Sequence, residues 1–200
     1  MIATKHDISD QLIENISRVK NLVRIYETYL AGELGSRAHL KTDVLRAATV
    51  LLHATLEDFL RNLAYWKLPH SGASVLDQFP LVGNAPTQKF SLGNLAKLRG
   101  MSVDQVINDS VDAYLERSNY NNTREVARLL NQISLNATLV ESTFSDLEEL
   151  MKRRHQIVHR ADIDAKNGSQ NHKVRSIGVS TVNRWIANVE VFTSALLAQC

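Results

Sequence analysis

Helix-breaking residues are confined to a narrow part of this chain, and that limits its fold more than any other feature. There are only three prolines and eight glycines, and most of them fall between residues 69 and 100. On either side lie long stretches in which nothing prevents a helix from continuing. Within these stretches the apolar residues recur at three- and four-residue steps, the period of an amphipathic helix. The spacing of Ile8, Leu12, Ile16, Val19, Val23, Tyr26 and Leu30 predicts a first long helix over 7–31. Asp7 or Ser9 is positioned to cap it, and Gly32 and Gly35 to end it. A second helix is predicted over 42–67, with Val44, Ala48, Leu51, Leu52, Leu56, Phe59, Leu63 and Trp66 on one broad side and Pro69 as its stop. Two such helices joined by a short link pack most simply as an antiparallel hairpin.

The remainder divides into shorter pieces. Residues 68–90 hold all three prolines and no sustained period, and read as a long surface excursion of the kind that often shapes a site or an interface. A short helix is predicted near 92–98. Another runs from Ser102 to about Arg117, with Gln105 completing a capping box. The polar run from Ser118 to Asn122 is a turn, and Thr123 is placed to cap a helix over 124–132. Ser145 and Glu148 form a second candidate capping box, opening a helix to about Arg160. Residues 162–178 are polar and irregular. A last helix, about 181–198, presents Val182, Trp185, Ile186, Val189, Phe192 and Leu196 on one face. No segment alternates with period two. The expected architecture is one all-α domain over 1–200.

At 200 residues with 44% hydrophobic and 22% charged residues, the chain can bury roughly 70% of its unfolded surface in one core. The formal net charge of +2 is too mild to mark a polyanion binder by itself, so such a site needs local clustering or two joined subunits. Cys200 is the only cysteine, which excludes a disulfide framework and favours a reducing compartment. With no apolar leader at the first residues and no run of 18 or so apolar residues, a cytoplasmic protein without a membrane span is expected.

The segment Leu147–Ala161 carries the chemistry. At 100° per residue, Leu147, Leu150, Met151, Ile157, Val158 and Ala161 form one apolar stripe, and Arg154 falls in its middle. An arginine keeps its charge, so a place on the core seam is costly unless it is paired and hydrogen-bonded. Two readings stand side by side. Arg154 either binds an acid on a neighbouring helix, Asp58 for example, or faces a cleft or second subunit and offers its donors to a phosphate. His155 lies at the edge of the stripe and His159 a little further round. An imidazole's ordinary pKa of about 6.5 suits proton exchange near neutral pH.

The run RRHQIVHR, Arg153 to Arg160, resembles the R-x-x-x-x-H signature of the HEPN superfamily, with Arg154 and His159 at its ends and the polar His155 after the arginine. LLHATLEDFLRNL, Leu51 to Leu63, looks like the second helix of these domains, and the likeness is nearest to the stand-alone RiboL-PSP or MAE-like branch. The resemblance implies a HEPN-like helical bundle, with the long-helix hairpin and additional shorter helices. It also implies an endoribonuclease without metal or other cofactor, working as a homodimer whose two signatures meet. Arg154 would stabilise the charged transition state, His159 would move protons and His155 would orient the phosphate or His159, giving a 2′,3′-cyclic phosphate. Partners so implied are RNA, a second copy and a neutralising or antitoxin protein, in a growth-arrest toxin or phage-defence role. One toxin subgroup continues its signature with a tyrosine where this chain has Ala161, so that subgroup's nucleotidyltransferase-antitoxin biology does not carry over. The alternative is a non-catalytic HEPN module that binds RNA, nucleotide or a partner protein.

Arg154 and His159 lie roughly 140° apart on their helix, and a site assembled from two subunits answers that separation. Lys152, Arg153 and Arg160 are ordinarily a solvated helix face, and beside such a site they could guide RNA. His155 and His159 have the spacing of the H-E-x-x-H zinc motif, but Gln156 stands where its general base would be, so no metal site is expected. His53 and Glu57 read as a solvated or dimer-facing polar pair. Trp66 and Trp185 read as core rather than as base-stacking platforms.

Overall fold

A computed structural model describes residues 4–31, 41–83, 92–163 and 174–200. The first helix, α1 (Lys5–Ile25), starts earlier than its apolar period suggests because Thr4 caps it. The Thr4 hydroxyl accepts the Asp7 N–H at 3.2 Å, and the Asp7 carboxylate accepts the Thr4 N–H at 2.8 Å. Asp7 is thus the reciprocal member of the capping box and not the cap. Ile8, Leu12, Ile16, Val19 and Val23 are buried along one face, and a π-helical turn, Tyr26–Leu30, extends the helix. The stops expected at Gly32 and Gly35 lie outside the described residues.

The second helix, α2 (Asp43–Lys67), is the centre of the fold and continues into a 3-10 turn at Leu68–His70 that contains Pro69. It packs most extensively on α1. Gln11, near the start of α1, donates to Asp58, near the end of α2, at 2.9 Å, as an antiparallel hairpin requires. Next come α3 (Ala73–Leu76), α4 (Leu92–Leu95) with a 3-10 turn at Ala96–Leu98, α5 (Val103–Leu115) and α6 (Thr123–Gln132). A 3-10 stretch, Ala137–Thr143, leads directly into α7 (Phe144–Arg160), and α8 (Val179–Ala198) closes the chain. Part of the expected excursion is pinned to α5. Phe79 packs edge-on against Tyr114 at 4.7 Å, and the Val82 N–H donates to the Ser110 hydroxyl at 2.9 Å.

Ser102 caps α5 as its sequence suggests, accepting the Gln105 N–H at 3.1 Å. Two other caps differ. Asn122, not Thr123, caps α6 and accepts the Glu125 N–H at 2.9 Å. The Ser145–Glu148 capping box is not formed, because the preceding 3-10 stretch carries the chain into α7 with Thr143 at the cap position. Glu148 instead accepts the Thr123 N–H at 3.2 Å and its hydroxyl at 3.1 Å. Its negative charge therefore sits at the positive end of α6.

One continuous core draws on α1, α2, α5, α6, α7 and α8. The predicted stripe of α8 is fully used, with Val182, Trp185, Ile186, Val189, Phe192 and Leu196 all buried. The architecture is all-α, and among the described residues the only extended pairing is an isolated bridge between Ile163 and Val174. No helix among them is long and apolar enough to cross a membrane.

Candidate active site

The helix α7 runs antiparallel to α2 and is fastened at both ends. Near its start, Glu148 reaches α6 as described. At its C-terminus the backbone turns through two left-handed residues, Ala161 (φ 47°) and Asp162 (φ 58°), and the Asp162 N–H returns to the Gln156 carbonyl at 3.1 Å. This reversal carries the Asp162 side chain inside, where it has no exposed surface. There one carboxylate oxygen accepts Arg46 Nε from α2 and Arg153 Nη2 from α7, both at 2.8 Å. Arg46 also donates to the Thr42 hydroxyl at 2.7 Å and the Arg175 carbonyl at 2.7 Å. Arg153 donates to the Arg175 and Ser176 carbonyls at 3.1 and 2.9 Å.

Arg153 therefore does not lie on a solvated face. Its side chain is only 11% exposed, and it joins α7 to the segment before α8. Burial pushes its pKa down, against the charge and hydrogen bond of Asp162, with Arg175 and Arg46 adding a smaller downward push.

Arg154, one position on, is half-buried. Among the described residues it has no hydrogen bond and no ion pair. Asp58, the acid considered for it, is occupied by Gln11. The charge that feels Arg154 is Glu57 on α2. Burial pushes the Glu57 carboxyl up, but His53, the Tyr120 backbone N–H and the Arg154 charge together hold it below the usual carboxylate range. His53 departs from its reading as a solvated pair member, since it is fully buried, with Nδ1 3.5 Å from Glu57 Oε2. Neither ring nitrogen has a partner at hydrogen-bond geometry, so we regard the His53–Glu57 contact as electrostatic.

A depressed carboxylate pKa stabilises the fold above the group's unfolded pKa, and that stability is lost as pH falls through the folded value. Glu57→Gln should therefore be less stable than the parent at pH 7, with the difference shrinking on acidification below about pH 4. Denaturant melts at the two pH values test this, and a difference that grows on acidification would contradict it.

His155 and His159 project to solvent, their ring centroids 4.6 Å apart at 45°. Arg160 is exposed, and Lys152, 72% exposed, pairs with Glu148 at 3.3 Å. Val158, read as core, is 48% exposed beside this face. Trp185 is buried, as its stripe implied, and Trp66 is half-buried with Lys67 5.2 Å over its ring. Among the described residues no three His, Cys, Asp or Glu side chains are grouped to hold a metal.

A separate cleft of 390 Å³ lies between α5 and α6, lined by Tyr114, Arg117, Tyr120 and Arg128 among others. Burial pushes the Tyr120 phenol up to about 12.

The α7 surface thus offers an arginine with no hydrogen bond or ion pair among the described residues and two exposed imidazoles, on a helix end locked by a buried ion-pair cluster. Asp162 and Arg46 were not singled out from the sequence, and Glu57 was read there only with His53, as a solvated or dimer-facing pair. Arg46 left a trace as a charged residue between Leu45 and Ala48 on the apolar side of α2.

A family model described as RiboL-PSP-HEPN matches residues 10–198. No curated protein and no solved structure gave a match.

Proposed function

The chain belongs to the RiboL-PSP-HEPN family, and from that premise we propose that it is an endoribonuclease whose active site is built from Arg154 and His159 of two copies. One observation carries the reading: Arg154 is half-buried, charged and without a hydrogen bond or ion pair among the described residues, on the helix that exposes His155 and His159. A cation held in this way is available to an external anion.

The reaction needs only groups present in the chain. The His159 imidazole of one copy removes the proton from a ribose 2′-hydroxyl, and the 2′-oxygen attacks the adjacent phosphorus. The bond to the 5′-oxygen breaks, and the imidazolium so formed returns its proton to that oxygen. The products are a 2′,3′-cyclic phosphate and a free 5′-hydroxyl. Arg154 holds the extra charge that builds on the phosphoryl oxygens. His155, against the His159 ring, orients that imidazole or the phosphate. Lys152 and Arg160 are exposed cations that can guide RNA, whereas Arg153 is committed to Asp162.

Two copies are needed because Arg154 and His159 diverge around α7. Val158, apolar and exposed beside Arg154, suits the contact between them. A cytoplasmic growth-arrest or phage-defence effector, restrained by a neutralising partner, is the biological role consistent with such an activity.

The test is incubation of purified protein with end-labelled RNA in the presence of chelator, with the new ends identified chemically. Cyclic-phosphate ends support the proposal, and intact RNA under all conditions would leave the protein as a binding module. Light scattering at micromolar concentration should give twice the 22.4 kDa chain mass. A species of 22.4 kDa alone would remove the composite site.

A further inference from the structure

We propose that the cleft between α7 and the N-terminus of α8 is a phosphate-binding subsite that holds the RNA backbone beside His159. The assignment to RNA rests on the ribonuclease reading; the assignment to phosphate does not.

The cleft measures 420 Å³ and is lined by Lys152, Arg153, Gln156, Arg175, Gly178 and Trp185, among others. Its polar groups are mostly donors. The acid on its wall, Glu149, is already bound to Arg184 on α8. Arg153 and Arg46 meet at the buried carboxylate of Asp162, and the exposed Arg175 side chain adds a further cation at the solvent side. Its guanidinium is held by the Gln156 side chain, which fixes it on the cleft's rim.

At the cleft's other wall, α8 begins with Gly178 as its cap, and among the described residues no side chain caps its first N–H groups. The 20-residue helix therefore turns unmet donors and the positive end of its dipole toward this space. Independently, Trp185 in the cleft lining is 2% exposed, and its buried indole N–H has no acceptor among the described residues. Converging cations, free backbone N–H groups and an unmet indole donor call for a group that only accepts, and a phosphate is such a group.

The position gives the subsite its role. Gln156 lies three residues before His159 and neighbours it along α7, and Lys152, seven before, lies about two turns away on the same side. A phosphate in the cleft would be next to the one being cleaved, fixing the register of the strand.

Trp185 makes the proposal measurable, because the chain has two tryptophans and hence two indole N–H signals. In ¹⁵N-labelled protein, inorganic phosphate at constant ionic strength should move the Trp185 signal and leave that of Trp66 in place. The double variant Lys152→Ala with Arg175→Ala should weaken this response at least about tenfold. Both side chains are exposed, and Arg175 serves the Asp162 cluster through its backbone, so the variant should keep the parent's melting temperature. A 2′-O-methyl oligoribonucleotide, which cannot be cleaved, should move the same signal at lower concentration. In the double variant the slope of its log affinity against log salt should fall by about 0.7 per lost phosphate contact. A Trp185 signal indifferent to phosphate, or moved equally by chloride, overturns the subsite. A response to phosphate but not to the oligonucleotide overturns its assignment to RNA. Because neither titration requires turnover, a protein that binds both but cuts no RNA rejects the catalytic reading and leaves the subsite standing.

Discussion

Arg154→Ala and His159→Ala should each abolish detectable RNA cleavage while leaving the fold intact. Removing the imidazole takes away the group that moves protons, an effect typically of about 10²–10⁴-fold in rate. Removing a preorganised donor to a developing negative charge costs about 10²–10³-fold. Neither change should disturb packing, since His159 is exposed and Arg154 holds no hydrogen bond or ion pair among the described residues. Melting temperatures within about 2 °C of the parent would be consistent with a change below about 1 kcal/mol. Arg154→Lys should rescue little, because a point charge does not reproduce the planar fork of a guanidinium. The two inactive proteins also test the composite site. Mixed and allowed to exchange subunits, they form dimers that still contain one Arg154 and one His159. Cleavage by the mixture above that of either variant is expected if both copies build one site. Parent-like cleavage by either variant alone would show that the chemistry lies elsewhere.

The long helices were legible because each buries a stripe, and a stripe leaves a 3.6-residue period in the sequence. The stripes of α1 and α8, for example, are the ones the structure buries. Helix starts were less legible. Capping residues compete locally, and the winner depends on what precedes the helix: Thr4 forestalls Asp7, and the 3-10 stretch before α7 frees Glu148 to serve α6.

The site shows the same limit at closer range. Arg153 and Arg154 are neighbours separated by 100° on one helix, and periodicity assigned the seam to the second. What covers Arg153 is the backbone at Arg175 and Ser176, in a stretch without any period, together with Asp162. Asp162 turns inward only through two successive left-handed residues, neither of them glycine. No sequence pattern announces that turn. The Arg154–His159 spacing could be read because it is local; Asp162, and the approach of Glu57 to Arg154, could not, because they arrive through tertiary packing.

Asp162→Asn should be the most damaging conservative substitution in the protein, by about 3–5 kcal/mol. The Asp162 side chain is fully buried between two guanidiniums at 2.8 Å. Taking away its charge leaves Arg46 and Arg153 facing each other in a poorly solvated space, and that residual repulsion dominates the cost. Asparagine is the informative replacement because it keeps the shape and tolerates the left-handed backbone at φ 58°. The loss then reports the charge and not a strained turn. For a domain of this size a drop of about 10 °C in melting temperature is expected. Asp43→Asn supplies the control. Asp43 contacts the same Arg46 at 3.1 Å but is 63% exposed, so its removal should cost less than about 1 kcal/mol. Equal effects from the two substitutions would mean that burial of Asp162 is not what matters. The ion-pair cluster also fixes the end of α7 that bears His159, so Asp162→Asn should lower the cleavage rate even well below its melting temperature. A variant that melts early yet cleaves at the parental rate would separate the lock from the chemistry, and the rigid helix end would lose its place in the mechanism.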